Sequence, residues 1–497
     1  MVKKLFKTES IFIILIGIFI ILLTFNLPAD PDLGWHLKNG EYLINNNFQV
    51  PATDIYSWTM PNFPLIMHEW LTDIGMYFLY QNFGLISISI IYALITFLAF
   101  FIVTKSIEAP LSHQIIACLL GVIASLPIIS ARAQMITLLG LALTIYLVQK
   151  YKENTKYKKI YWLPIIFFVW ANLHGGFSIG LFFIALITSI EIVKILIIKI
   201  NQKYYKYKFH YTTLRFKEIG RMIVVGFLSF LTTMINPYYW RLYFEIYTTT
   251  IDSFAKSYIN EWLPFSFDSP MAYRFIIYTV LISVLIILNY KKLDFSYLIV
   301  AMVFLIISTS SWRHMPFFVL ITIPYLVYLV GNLTQDKLRI ILQKKWLVLI
   351  FGFMIISYFF QKTLPYTRMV NSEEDVALAF GYPCQAVNFL KANPIEGRMF
   401  NEYNWGGYLI WQLPEHPVFI DGRMASWRLT REDGSKQEIL KDFKIIRDLE
   451  SDWQPLFDLY NFDFILLSHD APLAIRLGKM GWELIYRDNI AVIYKKI

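Results

Sequence analysis

The chain has 497 residues, of which 57% are hydrophobic, and its mean hydropathy is +0.49. A soluble protein of this size could not bury so much apolar surface, so the composition excludes an ordinary globular enzyme and predicts a polytopic membrane protein. The net charge of +9 comes from residues 1–361, which carry 29 Lys and Arg against 17 Asp and Glu, whereas residues 362–497 carry 16 against 19. This division favours membrane topology over nucleic-acid binding as the origin of the basic excess, and no nucleic-acid partner is expected.

Apolar runs along the chain predict about eleven transmembrane helices. The first run, "IFIILIGIFIILLTF", is interpreted as a retained helix and not as a cleaved signal peptide, because acids follow it and no small-residue cleavage site does. The predicted helices lie near 10–26, 84–104, 113–130, 134–150, 160–172, 177–199, 221–235, 270–289, 295–311, 316–333 and 345–361.

The loops between these helices are of two kinds. Lysine-rich loops, such as "KYKENTKYKK" at 150–159, are typical of the cytoplasmic side. The loops that alternate with them contain His, Arg, Asp and Glu, which predicts that the polar motifs share the opposite, extracytoplasmic face. The transmembrane domain 1–361 would therefore contain a first extracytoplasmic loop at 26–83, and the protein is expected in the cell membrane, in contact with membrane lipids.

Residues 371–497 are predicted to form a small extracytoplasmic α/β domain, because they follow an odd number of helices. "YPCQAVNFLKAN" has the pattern of an amphipathic helix, and "GYLIWQL", "HPVFIDGR", "FDFILLS", "WELIYRD" and "IAVIYKK" are typical of short strands. Cys118 and Cys384 lie in different regions, so no disulfide is expected. No GxGxxG, P-loop, GxSxG or HExxH motif occurs in the sequence.

Polar residues of the outer loops are the candidate functional residues. Asp30 and Asp32 follow the first helix in "NLPADPDLGWHLKNGE", and they are either a functional pair or caps of the next helix. His68 and Glu69, in "MHEWL", have the same two interpretations. Arg132 lies between two apolar helices, so it must reach an anion or a carboxylate or extend to the interface, and a phosphate would suit it.

Three further candidates come from later outer loops. His174 precedes two glycines and could be part of a turn only. Arg313 and His314, in "SWRHMP", could be an interfacial anchor beside Trp312 in an aromatic belt.

The order of these motifs resembles the GT-C superfamily of polytopic glycosyltransferases, which includes protein O-mannosyltransferases, lipid A aminoarabinose transferases and oligosaccharyltransferases. Those proteins have an acidic pair in the first outer loop, a second polar motif before helix 2 and often a soluble outer domain. The chain also resembles bacterial membrane proteins that combine "DPDLWWHL…P..D.FS.T…HEWL" with "WGGYLIW…VFIDGR". The corresponding segments here are 30–37, 51–59, 68–71, 405–411 and 418–423.

Two departures limit what the resemblance implies. The oligosaccharyltransferase signature "WWDYG" is absent, and "NWGGY" at 404–408 lacks its aspartate, so glycosylation of asparagine sequons is not implied. Asp-Pro-Asp replaces the Asp-Glu pair of the protein mannosyltransferases.

The resemblance implies an inverting transfer of a sugar from a polyprenyl-phosphate-linked donor to a glycan, lipid or protein acceptor. Asp30 or Asp32 would be the base, and Glu69 would orient the acceptor or join these aspartates in holding a divalent metal such as Mg²⁺ or Mn²⁺. Arg132 would bind the phosphate, with Arg313 as the second choice. The expected substrate-binding residues are His36, His68, Arg132, His174, Arg313 and His314.

Two other classes remain open. A transporter or flippase of lipid-linked saccharides would explain charges within the membrane, but no repeat relates the two halves of the sequence, and the acids share one predicted face. A non-catalytic envelope-assembly protein would use the outer domain to bind a partner.

Overall fold

The structure is a computed structural model that describes residues 8–497, apart from 29, 201–213, 271, 291–292, 335–336, 431–433 and 435. The chain divides into two compact units. Unit 1 comprises Met1–Asn26, Ser89–Tyr239 and Ile259–Tyr366, and unit 2 comprises Leu27–Ile88, Trp240–Tyr258 and Thr367–Ile497. Most of the predicted first outer loop therefore belongs to the same unit as the predicted C-terminal domain.

Helices make up most of the described chain. In chain order they are α1 (Thr8–Thr24), α2 (Leu33–Asn45), α3 (Trp70–Phe83), α4 (Leu85–Thr104), α5 (Leu111–Ser125), α6 (Gln134–Glu153), α7 (Leu163–Leu173), α8 (Phe177–Ile200), α9 (Phe216–Thr233), α10 (Arg241–Ile251), α11 (Ser253–Tyr258), α12 (Ala272–Asn289), α13 (Phe295–Ser310), α14 (Met315–Thr334), α15 (Lys337–Leu342), α16 (Lys345–Tyr358), α17 (Leu364–Met369), α18 (Glu373–Ala379), α19 (Cys384–Ala392), α20 (Gly406–Gln412), α21 (Ile439–Arg447), α22 (Trp453–Tyr460) and α23 (Pro472–Leu477).

Each of the eleven predicted helical segments contains a helix. Among the described residues, five helical segments are long and apolar enough to cross a membrane. Side chains on their surfaces, such as Leu349 and Phe353, are 73% exposed, as lipid-facing residues would be. The chain thus has the helices of a membrane protein, and the number of spans stays a prediction. The five segments are Leu85–Thr104, Phe177–Ile197, Ala272–Asn289, Trp312–Gly331 and Lys345–Met369.

Unit 1 also contains a buried cluster of charges that joins three of its helices. Lys152 of α6 contacts Glu191 of α8 at 2.6 Å and Asp294 at 2.9 Å. Lys194 contacts the same two acids at 3.2 and 3.4 Å and donates to Ser296 of α13 at 2.8 Å. Because every charge has an opposite partner, the cluster can remain away from water, and removing one member would leave an uncompensated charge.

Unit 2 contains the α/β part of the chain. Its main sheet has the strand order β1-β4-β6-β5, in which β1 runs parallel to β4 and the other neighbours are antiparallel. A separate antiparallel pair is formed by β2 and β3. The strands are β1 (Met399–Asn401), β2 (Arg428–Thr430), β3 (Lys436–Glu438), β4 (Phe464–Ser468), β5 (Glu483–Arg487) and β6 (Ala491–Lys495).

The strand predictions are confirmed for three segments and wrong for two. "FDFILLS", "WELIYRD" and "IAVIYKK" contain β4, β5 and β6, whereas "GYLIWQL" lies in the helix Gly406–Gln412 and "HPVFIDGR" joins no sheet. An apolar run without alternation cannot distinguish a buried strand from a buried helix. Here residues 406–410 are all buried, so the helix is covered on every side.

A close approach of two backbones explains the glycines of "NWGGY" and "DLGWHL". A Cβ added to Gly34 would lie 2.0 Å from the Gly407 carbonyl oxygen, and one added to Gly407 would lie 2.1 Å from the Pro31 carbonyl oxygen. Since real Cβ atoms do not come so close to backbone, only glycine permits α2 to cross α20 at this point.

The 56–59 segment of the first loop lies beside residues 418–419. The Val418 N–H donates to the Tyr56 carbonyl at 2.9 Å, and the Thr59 hydroxyl donates to the Phe419 carbonyl at 2.7 Å. The first-loop and late motifs, far apart in sequence, are therefore neighbours in unit 2.

Candidate functional site

Helices α2 and α3 of unit 2 hold a buried group of three ionisable side chains, called here the histidine cluster: His36, Glu69 and Asp73. The Nδ1 of His36 lies 2.5 Å from an Asp73 carboxylate oxygen, and its Nε2 lies 3.2 Å from Glu69. Asn39 donates to the other Asp73 oxygen at 3.0 Å. Glu69 directly precedes α3, and Asp73 lies in the first turn of that helix, so both acids reach the same imidazole.

The charge state of this cluster follows from burial and pairing. Burial by itself would lower the pKa of His36, but Asp73 and then Glu69 outweigh it and raise that pKa to about 9. Burial raises the pKa of Asp73, and the charge of His36 opposes this shift. At neutral pH His36 is therefore an imidazolium between two acids, and it is not available as a base.

Asp30 lines a cleft of unit 2. The cleft is bounded by the backbone of α2 and by the apolar and aromatic side chains Val376, Tyr382, Tyr408 and Trp411. Tyr382 and Tyr408 are stacked, with ring centroids 5.0 Å apart. Asp30 thus lies beside a concave, mostly apolar surface that also contains Glu373.

Asp32 is held differently from Asp30. It precedes α2, but its side chain makes no capping hydrogen bond. Its carboxylate accepts the indole N–H of Trp35 at 3.0 Å and lies against Gly422, where an added Cβ would be 2.0 Å from the Asp32 oxygen. Gly422 belongs to the "VFIDGR" segment, so this glycine leaves room for the Asp32 carboxylate.

His68 is adjacent to the histidine cluster but is not buried. Its side chain is 40% exposed, and its Nε2 lies 3.6 Å from Glu69. Burial raises the pKa of Glu245 in α10, and the nearby His68 partly opposes this rise. His68 could therefore reach a ligand in solution while remaining near Glu69.

Unit 1 holds the predicted cationic residues in an arginine cluster of Arg132, Glu261 and Arg313. A guanidinium nitrogen of Arg132 makes an ion pair with the Glu261 carboxylate. Burial would raise the pKa of Glu261, but the charges of Arg132 and Arg313 outweigh it and lower that pKa. The Arg313 guanidinium lies over the ring of Trp262, 6.0 Å from its centroid.

The other two predicted residues of unit 1 make local contacts. The Nδ1 of His174 accepts the Gly176 N–H and lies 2.8 Å from both that nitrogen and the Thr137 hydroxyl, an arrangement that favours the turn interpretation. His314 stacks on Phe317 with ring centroids 5.7 Å apart. Neither contact identifies a ligand.

Sequence reasoning did not include Asp73, Glu261 or a third ionic group among the site residues. That group is the bidentate pair of Arg423 with Asp421, at 2.7 and 2.8 Å, extended by Asp54 at 2.8 Å. All three side chains are buried. The spacing of Glu69 and Asp73 could have indicated Asp73, and Asp421 is only two residues from Arg423. In contrast, Glu261 is 129 residues from Arg132 and Asp54 is 369 residues from Arg423.

The predicted metal ligands Asp30, Asp32 and Glu69 have other contacts. Within the part of the chain that the structure describes, no group of three or more His, Cys, Asp and Glu side chains has an arrangement suited to a metal ion. The side chain of Glu69 contacts His36, and that of Asp32 contacts Trp35. A divalent metal at this position stays a prediction.

The fold is similar to that of the oligosaccharyltransferase of Archaeoglobus fulgidus, whose crystal structure has an acceptor peptide containing an NVT sequon tethered through a disulfide bond. The comparison gives a TM-score of 0.53 at 12% sequence identity and covers 93% of this chain and 69% of that chain. This similarity shows a GT-C-like fold. No protein-family model matches the sequence, and no curated protein sequence matches it either.

Proposed function

We propose that the protein is a membrane glycosyltransferase that transfers a sugar from a polyprenyl-phosphate-linked donor to an extracytoplasmic acceptor, with inversion at the anomeric carbon. The observation that carries this proposal is the GT-C-like fold shared with an oligosaccharyltransferase. The acids that follow the first helix support it, because an acceptor hydroxyl needs a nearby carboxylate to take its proton.

In the proposed reaction Asp30 is the base. The acceptor hydroxyl gives its proton to the Asp30 carboxylate while its oxygen bonds to the anomeric carbon of the donor. The bond from that carbon to the phosphate oxygen breaks, and its electron pair remains on the leaving phosphate. Asp30 is preferred over Asp32 because Asp30 lines the aromatic cleft, whereas Asp32 is engaged by Trp35 and packs against Gly422.

The remaining roles follow from charge. Glu69 and His68 would orient the acceptor, and the contact of Glu69 with the buried His36 would hold Glu69 in position. A bound Mg²⁺ or Mn²⁺ would add positive charge near the leaving phosphate. Arg132 and Arg313, within unit 1, are the proposed ligands of an anionic phosphate.

The acceptor would be a glycan, a lipid or a protein hydroxyl. The Archaeoglobus fulgidus enzyme was solved with an acceptor peptide, which is compatible with a protein acceptor. We do not extend the asparagine sequon to this chain, because its sequence lacks the "WWDYG" signature.

The deciding experiment compares Asp30→Asn with the unchanged protein in nanodiscs. Release of polyprenyl phosphate from a panel of polyprenyl-phosphate hexoses and pentoses would be measured, with a membrane extract as the acceptor. Loss of a general base predicts a rate about 10²–10⁴ times lower, with normal expression and melting temperature.

Asp458→Asn is the matched control, since Asp458 is an exposed aspartate of the same unit. Full activity of both Asp30→Asn and Asp32→Asn would contradict the assignment of the base. Movement of the donor lipid across the bilayer without any transfer would instead favour the flippase.

The proposal also requires residues 371–497 to be extracytoplasmic. Ser451 is exposed, and the two native cysteines are buried. A Ser451→Cys variant in intact cells should therefore react with a membrane-impermeant maleimide. Labelling that occurs only after the cell membrane has been permeabilised would reverse the predicted topology.

A further inference from the structure

The arginine cluster is built from three short segments of unit 1 that are fixed by backbone contacts. Ser311 donates to the Glu261 carbonyl at 2.8 Å, and the Trp312 N–H donates to the Leu263 carbonyl at 3.2 Å. Gln134 donates to the Arg313 carbonyl at 3.1 Å. These contacts use backbone carbonyls, so the position of Glu261 does not depend on its own carboxylate.

The cluster has an excess of one positive charge. The Arg132 guanidinium pairs with the Glu261 carboxylate, the charge of Arg313 also acts on it, and the lowered pKa of Glu261 keeps that carboxylate ionised at neutral pH. The Arg132 side chain is 21% exposed and that of Glu261 is 33% exposed, so a ligand can reach both. A guanidinium has five N–H donors in a fixed plane, so Arg132 can keep its pair with Glu261 and still donate to an anion.

The charge of the incoming group decides how well it fits. A phosphodiester carries one negative charge and would neutralise the excess on the cluster. A diphosphodiester carries two, and the second would lie close to the Glu261 carboxylate in a partly desolvated site, where like charges repel strongly.

We propose that Glu261 is a specificity residue that selects a donor whose sugar is linked through a single phosphate and disfavours a donor linked through a diphosphate. This inference rests on the proposed function, because it assigns the donor phosphate to the arginine cluster. Glu261 acts by repulsion, while Arg132 and Arg313 supply the attraction that both donors share.

The test uses two farnesyl probes that lack any sugar, farnesyl methyl phosphate and farnesyl methyl diphosphate. Their dissociation constants would be measured for the full chain in phosphatidylcholine nanodiscs. The unchanged protein should bind the monophosphate probe more tightly. Glu261→Gln keeps the side-chain volume and removes the charge, so it should shift the ratio of the two constants about tenfold toward the diphosphate probe.

Asp268→Asn is the matched control, because Asp268 is an exposed acid on the segment that follows Glu261. It should leave the ratio unchanged. A ratio that Glu261→Gln does not alter, while both probes still bind, overturns the selectivity and leaves the proposed transfer intact. If neither probe binds to any variant, the phosphate role of the cluster is wrong, and so is this inference.

The occupant could also be the headgroup of a membrane lipid. Replacing part of the phosphatidylcholine by phosphatidylglycerol distinguishes the two. Competition that removes the binding of both probes equally would assign the cluster to anionic lipids and overturn the proposal. A preference for the monophosphate probe that survives in the mixed membrane supports it.

Discussion

The histidine cluster of unit 2 and the arginine cluster of unit 1 have opposite composition and opposite exposure. In the first, two acids surround one cation, and the side chains of His36, Glu69 and Asp73 are 4%, 8% and 1% exposed. In the second, two cations surround one acid, and the side chains of Arg132 and Glu261 are 21% and 33% exposed. We call the buried histidine cluster the closed group and the partly exposed arginine cluster the open group. Buried charges need partners within the fold, so changes in the closed group should alter stability, whereas the open group can use its charge to bind a ligand.

Removing one acid from the closed group gives the largest expected effect on stability. Asp73→Asn leaves the buried imidazolium with Glu69 alone, so the free energy of unfolding in detergent should fall by about 3–5 kcal/mol. The melting temperature of purified protein measures this. Asp458→Asn, at an exposed site of the same unit, should change the stability by less than about 0.5 kcal/mol. Equal changes in the two variants would show that the histidine cluster is not a closed group.

The pH dependence of stability tests the charge of the same group. The ordinary pKa of histidine is 6.5, and that of His36 in the fold is about 9. Because the folded value is the higher one, the stabilisation is complete below pH 6.5 and is lost as the pH rises toward 9. This amounts to roughly 3 kcal/mol.

Melting curves across this pH window would record the loss, and His36→Gln should flatten the dependence. A stability that rises between pH 6.5 and 9 in the unchanged protein would mean that His36 is neutral in the fold.

The open group should show its effect in binding and not in stability. Arg132→Lys keeps the positive charge but loses the planar fork that can donate to Glu261 and to a phosphate together. Affinity for farnesyl methyl phosphate should fall by about 1–3 kcal/mol, the worth of a hydrogen bond to a charged group. The melting temperature serves as the internal control. A collapse in stability at unchanged affinity would make Arg132 a structural partner of Glu261 only.

The smallest effect is expected from a surface ion pair on the same helix as His36. Lys38 and Glu41 lie 2.5 Å apart, with side chains 23% and 35% exposed. A double-mutant cycle with Lys38→Gln and Glu41→Gln should give a coupling energy below about 1 kcal/mol. A value comparable to that of Asp73 would show that proximity, and not burial, governs these interactions.

The amino-acid sequence was sufficient for the features that depend on local pattern. Apolar runs identified eleven helical segments, and short, mostly apolar runs identified β4, β5 and β6. The order of motifs suggested a GT-C-like fold, which the similarity to the oligosaccharyltransferase shows. These features depend on residues within one helix or one strand, so a short stretch of the sequence is enough to predict them.

Tertiary structure decided the features that depend on distant partners. The pairs His36–Asp73, Arg132–Glu261 and Asp54–Arg423 join residues 37, 129 and 369 positions apart, and nothing local in the sequence specifies them. Packing also decided the helix Gly406–Gln412, whose local pattern fits a helix or a strand, because residues 406–410 are buried and Gly407 lets α2 approach the backbone. Charge pairing and close packing act between groups that the fold brings together. The folded chain is therefore needed to show which acids are buried and which cations are exposed to solvent.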